Sequence, residues 1–430
     1  MINVKVLDNL QPEDVAMLQA LYSRSPSSVE DHLEKVQKSG SSNFMDQFYI
    51  GYGHASIGDC GSTTIFIENI SMLAAKAIQD NPLYSGQESS TRYIDFSKQL
   101  IIDPTRQHRF IQDRWMSFYH KASPGLLEHL KAKYPRQENE DEKVYERALK
   151  ARSFDILRGF IPAGGTTNVS WHTNLRQAAD KLAWLRHHPA QEMRDIASEI
   201  YWALKVKYPN SFKLDRDEIS EWKSQVMNKS NYQDLQLIYR ENEMRFVAVD
   251  YMDLHINSNA KELLSSRPKG AVLPHYMNEF GTINSNFLLD FGSFRDLQRH
   301  RNGVIRMPLL TQQYGMHSWY LEQLPEDLRR EAEELIAVQN IAISDISDEV
   351  TRQYYIAMGF QVRVSMTQGL PAFVYRMDLR TSKTVHPTLR MVVKEEARQF
   401  QTRYEYVKLY ADYSKDDWDI RRGTQTIEAK

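Results

Sequence analysis

The strongest constraint on this chain is a pattern of predicted elements that occurs twice. The first copy begins with the strand TTIFIEN at 63–69, which leads into the helix pattern NISMLAAKAIQ. The second begins with the strand INSNFLLDF at 283–291 and the short helix SFRDLQRHR. β-branched and aromatic residues predict the strands, and each copy continues with an irregular segment, long helices and an Arg-bearing helix. Repetition on this scale indicates a duplicated domain.

Helix ends can also be predicted from the sequence. SSVEDHLEKVQKSG begins at Ser27, has Glu30 three residues later and closes at Gly40, which predicts a capping box and a C-terminal stop. Ser293 and Asp296 have the same spacing and predict a second capping box. We therefore expect the helices at these two places to begin at serine.

The segments between the strands set the expected domain limits. Residues 105–150 are polar and predict exposed helices, and a long helical stretch with breaks at Pro162 and two glycines is expected from residue 151. The charged, core-poor segment 205–234 is interpreted as the connection between the halves. We predict an N-terminal domain at 1–215, a connecting segment at 216–250 and a C-terminal domain at 251–430.

Composition narrows the class of protein. The chain has 430 residues, 41% hydrophobic and 26% charged, which is ordinary for a soluble protein with more than one domain. A formal net charge of -2 gives no general basic field, so we expect no nucleic-acid partner. The N-terminal MINVKVLDNLQPEDV lacks a signal pattern and no long apolar run occurs, so we expect a cytoplasmic protein with no membrane partner.

Cys60 is the only cysteine, which excludes an intrachain disulfide and a cysteine-based metal cluster. Its setting, GDCGS, contains no histidine or cation that would lower the thiol pKa. We interpret it as a packing residue rather than a nucleophile. The neighbouring His187 and His188 lack an evident third ligand, so we expect no metal site.

The segment QRHRNGVIRMPLLT leaves two interpretations open for the cationic run 299–301. Positive residues are favourable at the end of a helix because the macrodipole is negative there. The alternative is an anion or cofactor site. In the register of the repeat, residues 80–82 align with 299–301, an offset of 219, and Arg186 aligns with Arg380, an offset of 194. The first copy has therefore lost the cationic run.

Together these motifs resemble the signature of the flavin-dependent thymidylate synthases, the ThyX family, in both halves and over nearly the whole chain. The family signature is Arg-His-Arg, a spacer containing Ser and Asn, and then Ser-x-Arg-Tyr. The second half keeps Arg-His-Arg at 299–301 but has Leu309 and Thr311 where the signature has Ser and Arg. The first half lacks Arg-His-Arg but keeps QESSTRY at 87–93.

Further matches follow in the order of the family. They are His54 and Ser56 in GHASIGD, Arg158 in LRGFIP, Asn174 and Arg176 in WHTNLRQ, and Arg186 in LRHHPAQEMR. The resemblance implies an α+β fold of two ThyX-like domains in tandem, each a small antiparallel or mixed sheet packed with long helices. It also implies a homodimer that forms a pseudo-tetramer of domains.

The resemblance further implies a reaction and its ligands. FAD would be the cofactor, with NADPH and methylenetetrahydrofolate as co-substrates, for reductive methylation of the nucleotide dUMP. The expected flavin-binding residues are His54, Ser56, Asn174, Arg176, Arg299, His300 and Arg301. The expected substrate-binding residues are Gln87, Glu88, Ser90, Thr91, Arg92, Arg158, Arg186 and Arg299. Guanidinium groups suit this role because they fork onto phosphate oxygens.

The catalytic candidates are Ser90, Arg186 and Arg380, of which either arginine would polarise the uracil carbonyl without help from a cysteine. Because each half has lost part of the signature, we expect one composite site, in which residues 299–301 face Glu88, Ser90 and Arg92 of a first half. Two alternatives stay open. One is flavin- and folate-dependent modification of another pyrimidine nucleotide, and the other is a non-catalytic nucleotide-binding relative.

Overall fold

The computed structural model describes residues 10–23, 25, 28–45, 47, 55–92, 94–212, 220–228, 247–252 and 258–418. Three helices come first: α1 (Pro12–Tyr22), α2 (Val29–Ser39) and α3 (Ser42–Phe44). The first repeat consists of β1 (Ser62–Ser71), α4 (Met72–Gln79), β2 (Ser85–Glu88), α5 (Arg109–Lys133), α6 (Glu142–Leu157), β3 (Thr166–Asn174), α7 (Leu175–Leu185) and α8 (Gln191–Lys207).

Three further elements precede the second repeat: α9 (Ser220–Asn228), β4 (Val247–Met252) and α10 (Ser258–Ser266). The second repeat consists of β5 (Gly281–Asp290), α11 (Phe291–Leu297), β6 (Val304–Arg306), α12 (Ser318–Glu322), α13 (Glu326–Ser344), α14 (Glu349–Arg352), β7 (Gln361–Gly369), α15 (Leu370–Arg380) and α16 (Pro387–Arg403). Both repeats therefore run from a long strand through a short helix, a short strand and a set of helices to a second long strand and two closing helices. This confirms the α+β fold with two domains in tandem.

Local patterns fixed several elements but misplaced two helix starts. Helix α2 is capped by Ser28, whose hydroxyl accepts from the Asp31 amide, so the capping box lies one residue later than predicted. Helix α11 is capped by Asp290, which accepts from the Ser293 amide. Ser293 is therefore inside the helix, because Asp290, three residues before it, supplies the oxygen that caps the helix.

Two broader predictions were also wrong. Helices α5 and α6 are not simply exposed, since Trp115, Phe118 and Leu126 of α5 are buried. The helical stretch expected from residue 151 contains β3, the central strand of its sheet. Strand β3 nevertheless alternates, with Val169 and Trp171 buried and the residue between them partly exposed, so the period of two was present in the sequence and was overlooked.

The chain divides into two compact units, each built from three segments: Met1–Glu68, Ala77–Glu88 and Asn168–Lys229 form unit 1, and Asn69–Lys76, Ser89–Thr167 and Ser230–Lys430 form unit 2. Unit 1 holds most of a three-stranded sheet in the order β1, β3, β2, with β2 antiparallel to β3. Its N-terminal helices bury Ala16, Met45 and Ile57 in one small cluster. The predicted limits at 215 and 250 remain a prediction.

Unit 2 contains a four-stranded antiparallel sheet in the order β4, β5, β7, β6. Strand β7 buries Val362, Val364 and Met366 on one face, as the period of two in a strand requires. Helices α15 and α16 pack on β5, and α5 of the first repeat packs against α13 of the second. The first repeat thus contributes its long helices to the same unit as the second sheet.

Within unit 2 the repeats meet through a local two-fold exchange of backbone hydrogen bonds. The Ala163 amide donates to the Ile356 carbonyl at 2.9 Å, and the equivalent Met358 amide donates to the Ile161 carbonyl at 2.8 Å. A second such pair joins Gly164 to Tyr354 and Gly359 to Gly159. Residue i of one segment contacts residue j of the other and the reverse, as in an isologous dimer interface.

This exchange fixes the alignment of the two closing halves at an offset of 195, not the 194 inferred from sequence, and β3 and β7 begin 195 residues apart as well. Arg380 therefore aligns with Leu185, and Arg186 aligns with Thr381. The sequence alignment had matched the similar segments LRHH and LRTS and was therefore wrong by one residue. The hydrogen bonds between the two segments reveal the correct alignment.

Among the described residues, no helix is long and apolar enough to cross a membrane.

Candidate functional site

The loop that follows β2 contacts helix α11 in unit 2. Arg295 is buried, and its Nη1 donates to the Thr91 hydroxyl at 3.4 Å while its Nη2 donates to the Ser89 carbonyl at 3.3 Å. One turn later, Gln298 Nε2 donates to the Lys76 carbonyl at 3.0 Å. Helix α11 is short and begins directly after β5, and the hydrogen bonds of Arg295 hold it against the loop. The first-half signature and the helix ahead of the Arg-His-Arg run therefore adjoin within one chain.

Arg92 forms a two-pronged ion pair with Asp155 of α6. Its Nε and Nη2 lie 2.5 and 2.6 Å from the two carboxylate oxygens. The exposed fractions of the two side chains are 12% and 8%. The Ser90 hydroxyl accepts from the Arg92 amide at 3.2 Å and so shapes the backbone turn. The Arg92 guanidinium, which was predicted to bind a phosphate, thus binds the Asp155 carboxylate in this structure.

Asp296 on α11 is the anion on which the cations of both repeats converge. Arg158 Nη1 lies 3.6 Å from Oδ2 and Arg299 Nη2 lies 3.4 Å from Oδ1. Arg380 Nη2 donates to the Asp296 carbonyl at 2.8 Å. Burial alone would raise the pKa of this carboxyl, but the guanidinium groups around it, Arg158 first and Arg92 next, hold the pKa well below its ordinary value. Asp296 therefore stays ionised.

His300 is buried and accepts a hydrogen bond at its Nε2 from Arg380 Nε, 2.7 Å away. This contact requires the tautomer with the proton on Nδ1. Burial, reinforced by the positive charge of Arg380, lowers the pKa of His300 to about 2. His300 is thus a neutral side chain between the half-exposed Arg299 and the partly buried Arg301.

A buried polar network supports this cluster, and sequence reasoning missed most of it. Asp290 accepts from the Tyr320 hydroxyl at 2.7 Å and from the Thr388 hydroxyl at 2.5 Å. The Ser293 hydroxyl accepts from Arg158 Nη2 at 3.0 Å. His386 Nε2 donates to the Asp155 carbonyl at 3.1 Å, and burial lowers the pKa of this histidine well below its ordinary value. The position of Asp290 at the end of a strand was the one available signal.

The remaining predicted residues that the structure describes lie in unit 1. Gln87 and Glu88 are on β2, and Glu88 accepts from Gln79 Nε2 at 2.8 Å. The others have these partners: Asn174 caps α7 by accepting from the Gln177 amide, Arg176 forks onto Asp59 at 2.7 Å, Arg186 stacks on the Tyr201 ring at 4.4 Å, and the Ser56 carbonyl accepts from the Asp59 amide. His54 lies outside the described residues.

The predicted residues that the structure brings together are therefore Ser90, Thr91, Arg92, Arg158, Arg299, His300, Arg301 and Arg380, all in unit 2. Arg158 is 1% exposed, so its side chain acts through Asp296 and Ser293. Arg299 is the most open of these cations, with a side chain 51% exposed. Solvent reaches the cluster chiefly at the Arg-His-Arg run.

The charge of the cluster favours an anionic ligand. Among the described residues it contains six guanidinium groups, those of Arg92, Arg158, Arg295, Arg299, Arg301 and Arg380, and three carboxylates, those of Asp155, Asp290 and Asp296. A surplus of positive charge in a partly buried site is costly unless an anion neutralises it. Arg299 and Arg301 are the members best placed to bind a phosphate or a diphosphate.

Cys60 lies in unit 1 against the cluster formed by Ala16, Ala20, Met45 and Ile57. Burial, and secondarily the charge of Asp59, raises the pKa of its thiol. A thiol with a raised pKa is a poor nucleophile at neutral pH. The structure thus agrees with a packing role for this residue.

Comparison with known proteins agrees with the motifs. Residues 5–210 match the family model Thy1, described as thymidylate synthase complementing protein. A UPF0159 protein of Chlamydia pneumoniae is 23% identical over an alignment of 457 residues. The alignment covers 91% of this chain and 84% of that protein. A UPF0159 protein of Thermoplasma acidophilum is 22% identical over 423 residues, which cover 81% of this chain and 84% of the relative.

Solved structures of ThyX from Helicobacter pylori with FAD and dUMP were also matched. One is 18% identical and covers 47% of this chain and 93% of its own, and another is 17% identical and covers 47% and 94%. The TM-score of 0.29 in both cases is too low to inform the geometry of the site. Residues 5–210, just under half of the chain, thus carry the match to the thymidylate synthase complementing protein family whose signature the motifs resemble.

Proposed function

We propose that this protein is an FAD-dependent enzyme that methylates dUMP to dTMP, with methylenetetrahydrofolate as carbon donor and NADPH as reductant. The observation that carries the proposal is the meeting of the two partial signatures within unit 2. The first half supplies Ser90, Thr91 and Arg92, and the second half supplies the run at 299–301 and Arg380. Each repeat thus offers what the other has lost.

The residues present fit a flavin at the Arg-His-Arg run. Arg299 and Arg301 would hold the diphosphate, and the positive surplus of the cluster would stabilise the anionic reduced flavin. His300 is neutral and buried, so it fixes Arg380 rather than adding charge. The bound flavin would supply the hydride that completes the methyl group. From their place in the family motifs alone, His54, Ser56, Asn174 and Arg176 are also proposed as flavin-binding residues.

The nucleotide would bind at Ser90, Thr91 and Arg92. Arg92 already binds Asp155 through Nε and Nη2. To bind the phosphate, Arg92 must therefore either use its remaining N–H groups or release the carboxylate. Arg299 would provide the second cation for the phosphate. Arg158 is proposed to support this part of the site by positioning Asp296. From their place in the family motif alone, Gln87 and Glu88 are also proposed as substrate-binding residues.

Activation of the uracil ring would fall to a guanidinium. Arg186 and Arg380 are the two candidates, and a guanidinium beside the carbonyl would stabilise negative charge that develops on its oxygen. Arg380 is partly buried between His300 and Asp296, whereas Arg186 stacks on Tyr201. Neither role needs the thiol of Cys60. We further propose a cytoplasmic homodimer that recreates four domains.

The first test is flavin binding. Purified protein reconstituted with FAD should keep the flavin absorbance after gel filtration, and Arg301→Ala should lose it. Arg330→Ala, which removes an exposed arginine of α13, is the matched control and should keep the flavin. Absence of flavin from the wild-type protein would exclude the proposal and favour a non-catalytic nucleotide-binding relative.

The second test identifies the substrate. The wild-type gene should support growth of a thymidine-requiring bacterial strain without thymidine, and Arg299→Ala should not. A protein that binds flavin and consumes methylenetetrahydrofolate but fails to support growth would act on a different pyrimidine nucleotide. Product analysis with dUMP by mass spectrometry distinguishes these two outcomes directly.

A further inference from the structure

The C-terminal segment 412–418, here called the strap, is bound by basic residues that the proposed reaction does not use. Arg390, which is 2% exposed, donates from Nη2 to the Ser414 carbonyl and hydroxyl at 3.1 and 3.0 Å. Lys394 Nζ donates to the same carbonyl at 2.5 Å. The Asp412 amide donates to the Thr381 hydroxyl at 2.9 Å. These contacts hold the strap along α16.

The end of the strap lies in a small cleft that is rich in cations. Arg92, Arg152 and Lys383 line this cleft, together with Asp155 and Trp418. Arg152 is 4% exposed, and its Nε has no acceptor among the described residues. A buried guanidinium with an unsatisfied donor is costly, so the cleft is suited to an anion that can reach it. The cleft adjoins the Arg92–Asp155 pair of the candidate site.

The strap provides acidic groups and an aromatic ring at this place. Asp416 Oδ2 lies 3.8 Å from Arg152 Nη2, and Asp417 Oδ1 lies 3.1 Å from Lys383 Nζ. The indole of Trp418 lies 5.8 Å from the Arg152 guanidinium. The 3.8 Å pair is too long for a hydrogen bond, so the carboxylate neutralises Arg152 without saturating it. An anion with more acceptor oxygens would bind the cleft better.

We propose that the strap is an internal occupant of a binding cleft for a phosphate-bearing aromatic ligand, and that the ligand and the strap compete for Arg152 and Lys383. Two carboxylates beside an indole present the same chemistry as a phosphate beside a nucleobase. Trp418 has a φ of 53°, a backbone conformation that non-glycine residues rarely adopt, so release of the strap also relieves strain. The strap thereby limits ligand binding.

This proposal rests on the proposed function in the choice of dUMP as one probe and in the use of FAD-loaded protein. Inorganic pyrophosphate is the second probe, since it needs only the cations of the cleft. Isothermal titration calorimetry on the FAD-loaded protein compares the wild type with the double variant Asp416→Asn, Asp417→Asn. Loss of the two competing charges should tighten pyrophosphate binding about tenfold, the range expected for a charged contact.

A matched control removes two exposed carboxylates outside the strap, by Glu279→Gln and Glu405→Gln, and should leave the affinity unchanged. Adding Lys383→Gln to the strap variant should reverse the gain, and this partly exposed lysine can be replaced with little risk to folding. The proposal would be overturned if the wild type and the double variant bound pyrophosphate equally well. It would also be overturned if the variant bound it more weakly, or if neither protein bound it. If pyrophosphate behaves as expected while dUMP is neither bound nor methylated, the proposed function fails and the competition stands.

Discussion

At the scale of single residues, the aspartates of the cluster each bind more than one partner. Asp155 binds Arg92 through its side chain and His386 through its carbonyl. Asp296 faces Arg158 and Arg299 at once. A buried cation that loses its anion pays the full cost of burial, so these positions should be far more sensitive than surface ion pairs.

Replacing Asp155 tests this sensitivity. Asp155→Asn leaves the Arg92 guanidinium largely buried and without its countercharge, so the free energy of unfolding should fall by about 3 kcal/mol. Urea denaturation followed by circular dichroism measures the change. The control Asp113→Asn breaks the half-exposed pair with Arg109 on α5 and should cost less than about 0.5 kcal/mol. Similar losses for the two variants would contradict a structural role for the buried pair.

The pH dependence of stability tests the neutral state of His300. Its folded pKa of about 2 lies below the ordinary value of 6.5, so the unfolded chain binds more protons between these pH values. The free energy of unfolding should therefore be fully retained above pH 6.5 and fall on acidification, by up to about 1.4 kcal/mol per pH unit for this one group. His300→Gln should reduce the slope between pH 6.5 and 5, whereas the exposed-site change His275→Gln should not. An unchanged slope in His300→Gln would argue against a buried neutral histidine.

Cys60 gives a prediction about mechanism. Its thiol pKa is raised by burial, so a thiolate nucleophile is disfavoured. Cys60→Ala should keep both the flavin and the turnover of dUMP in a spectrophotometric assay. A folded Cys60→Ala protein that binds flavin but has no activity would show that the proposed cysteine-independent reaction is wrong.

At the scale of elements, the segments after α6 and after α14 approach each other closely at glycines. The Gly359 amide donates to the Gly159 carbonyl at 2.8 Å. A Cβ on Gly359 would lie 2.9 Å from that oxygen, and a Cβ on Gly159 would lie 2.6 Å from the Tyr320 ring. A side chain is therefore excluded at Gly159 and at Gly359.

Gly359→Ala tests this close approach. The backbone on the other side cannot move without breaking the hydrogen-bond exchange, so we expect a loss of about 2 kcal/mol of unfolding free energy. Gly125→Ala on α5 is the control, since its Cβ would make an ordinary contact 3.5 Å from Leu328, and it should be neutral or stabilising by up to about 1 kcal/mol. Thermal unfolding by calorimetry compares them, and equal melting temperatures would show that the segments can separate.

At the scale of the whole molecule, the cluster in unit 2 contains cations from both repeats of one chain. Arg92 and Arg158 come from the first repeat, and Arg299 and Arg380 come from the second. Fusion of two copies lets each lose part of a binding motif while one composite cluster is kept. Such a cluster needs no partner chain for these residues.

A complementation assay tests this arrangement. Arg92→Ala and Arg299→Ala should each be inactive, and mixing the two purified variants should not restore dUMP turnover, because each cluster would still lack one cation. As a control, the two variants are unfolded and refolded together, so that their chains can exchange between dimers. Recovery of about a quarter of the activity, as statistical exchange of chains in a dimer would give, would show that neighbouring chains share the site.

The sequence by itself determined the duplicated order of elements and most of the residues of the cluster, because strand composition, helix ends and the run at 299–301 are local signals. The tertiary structure alone decided three things: the offset of 195, the role of Asp155, Asp296 and Asp290 as shared anions, and the meeting of Arg295 with Thr91. These depend on hydrogen bonds and ion pairs between residues that lie 30 to 204 positions apart in the sequence. No periodicity or motif encodes such contacts, since they arise only when the two repeats pack together.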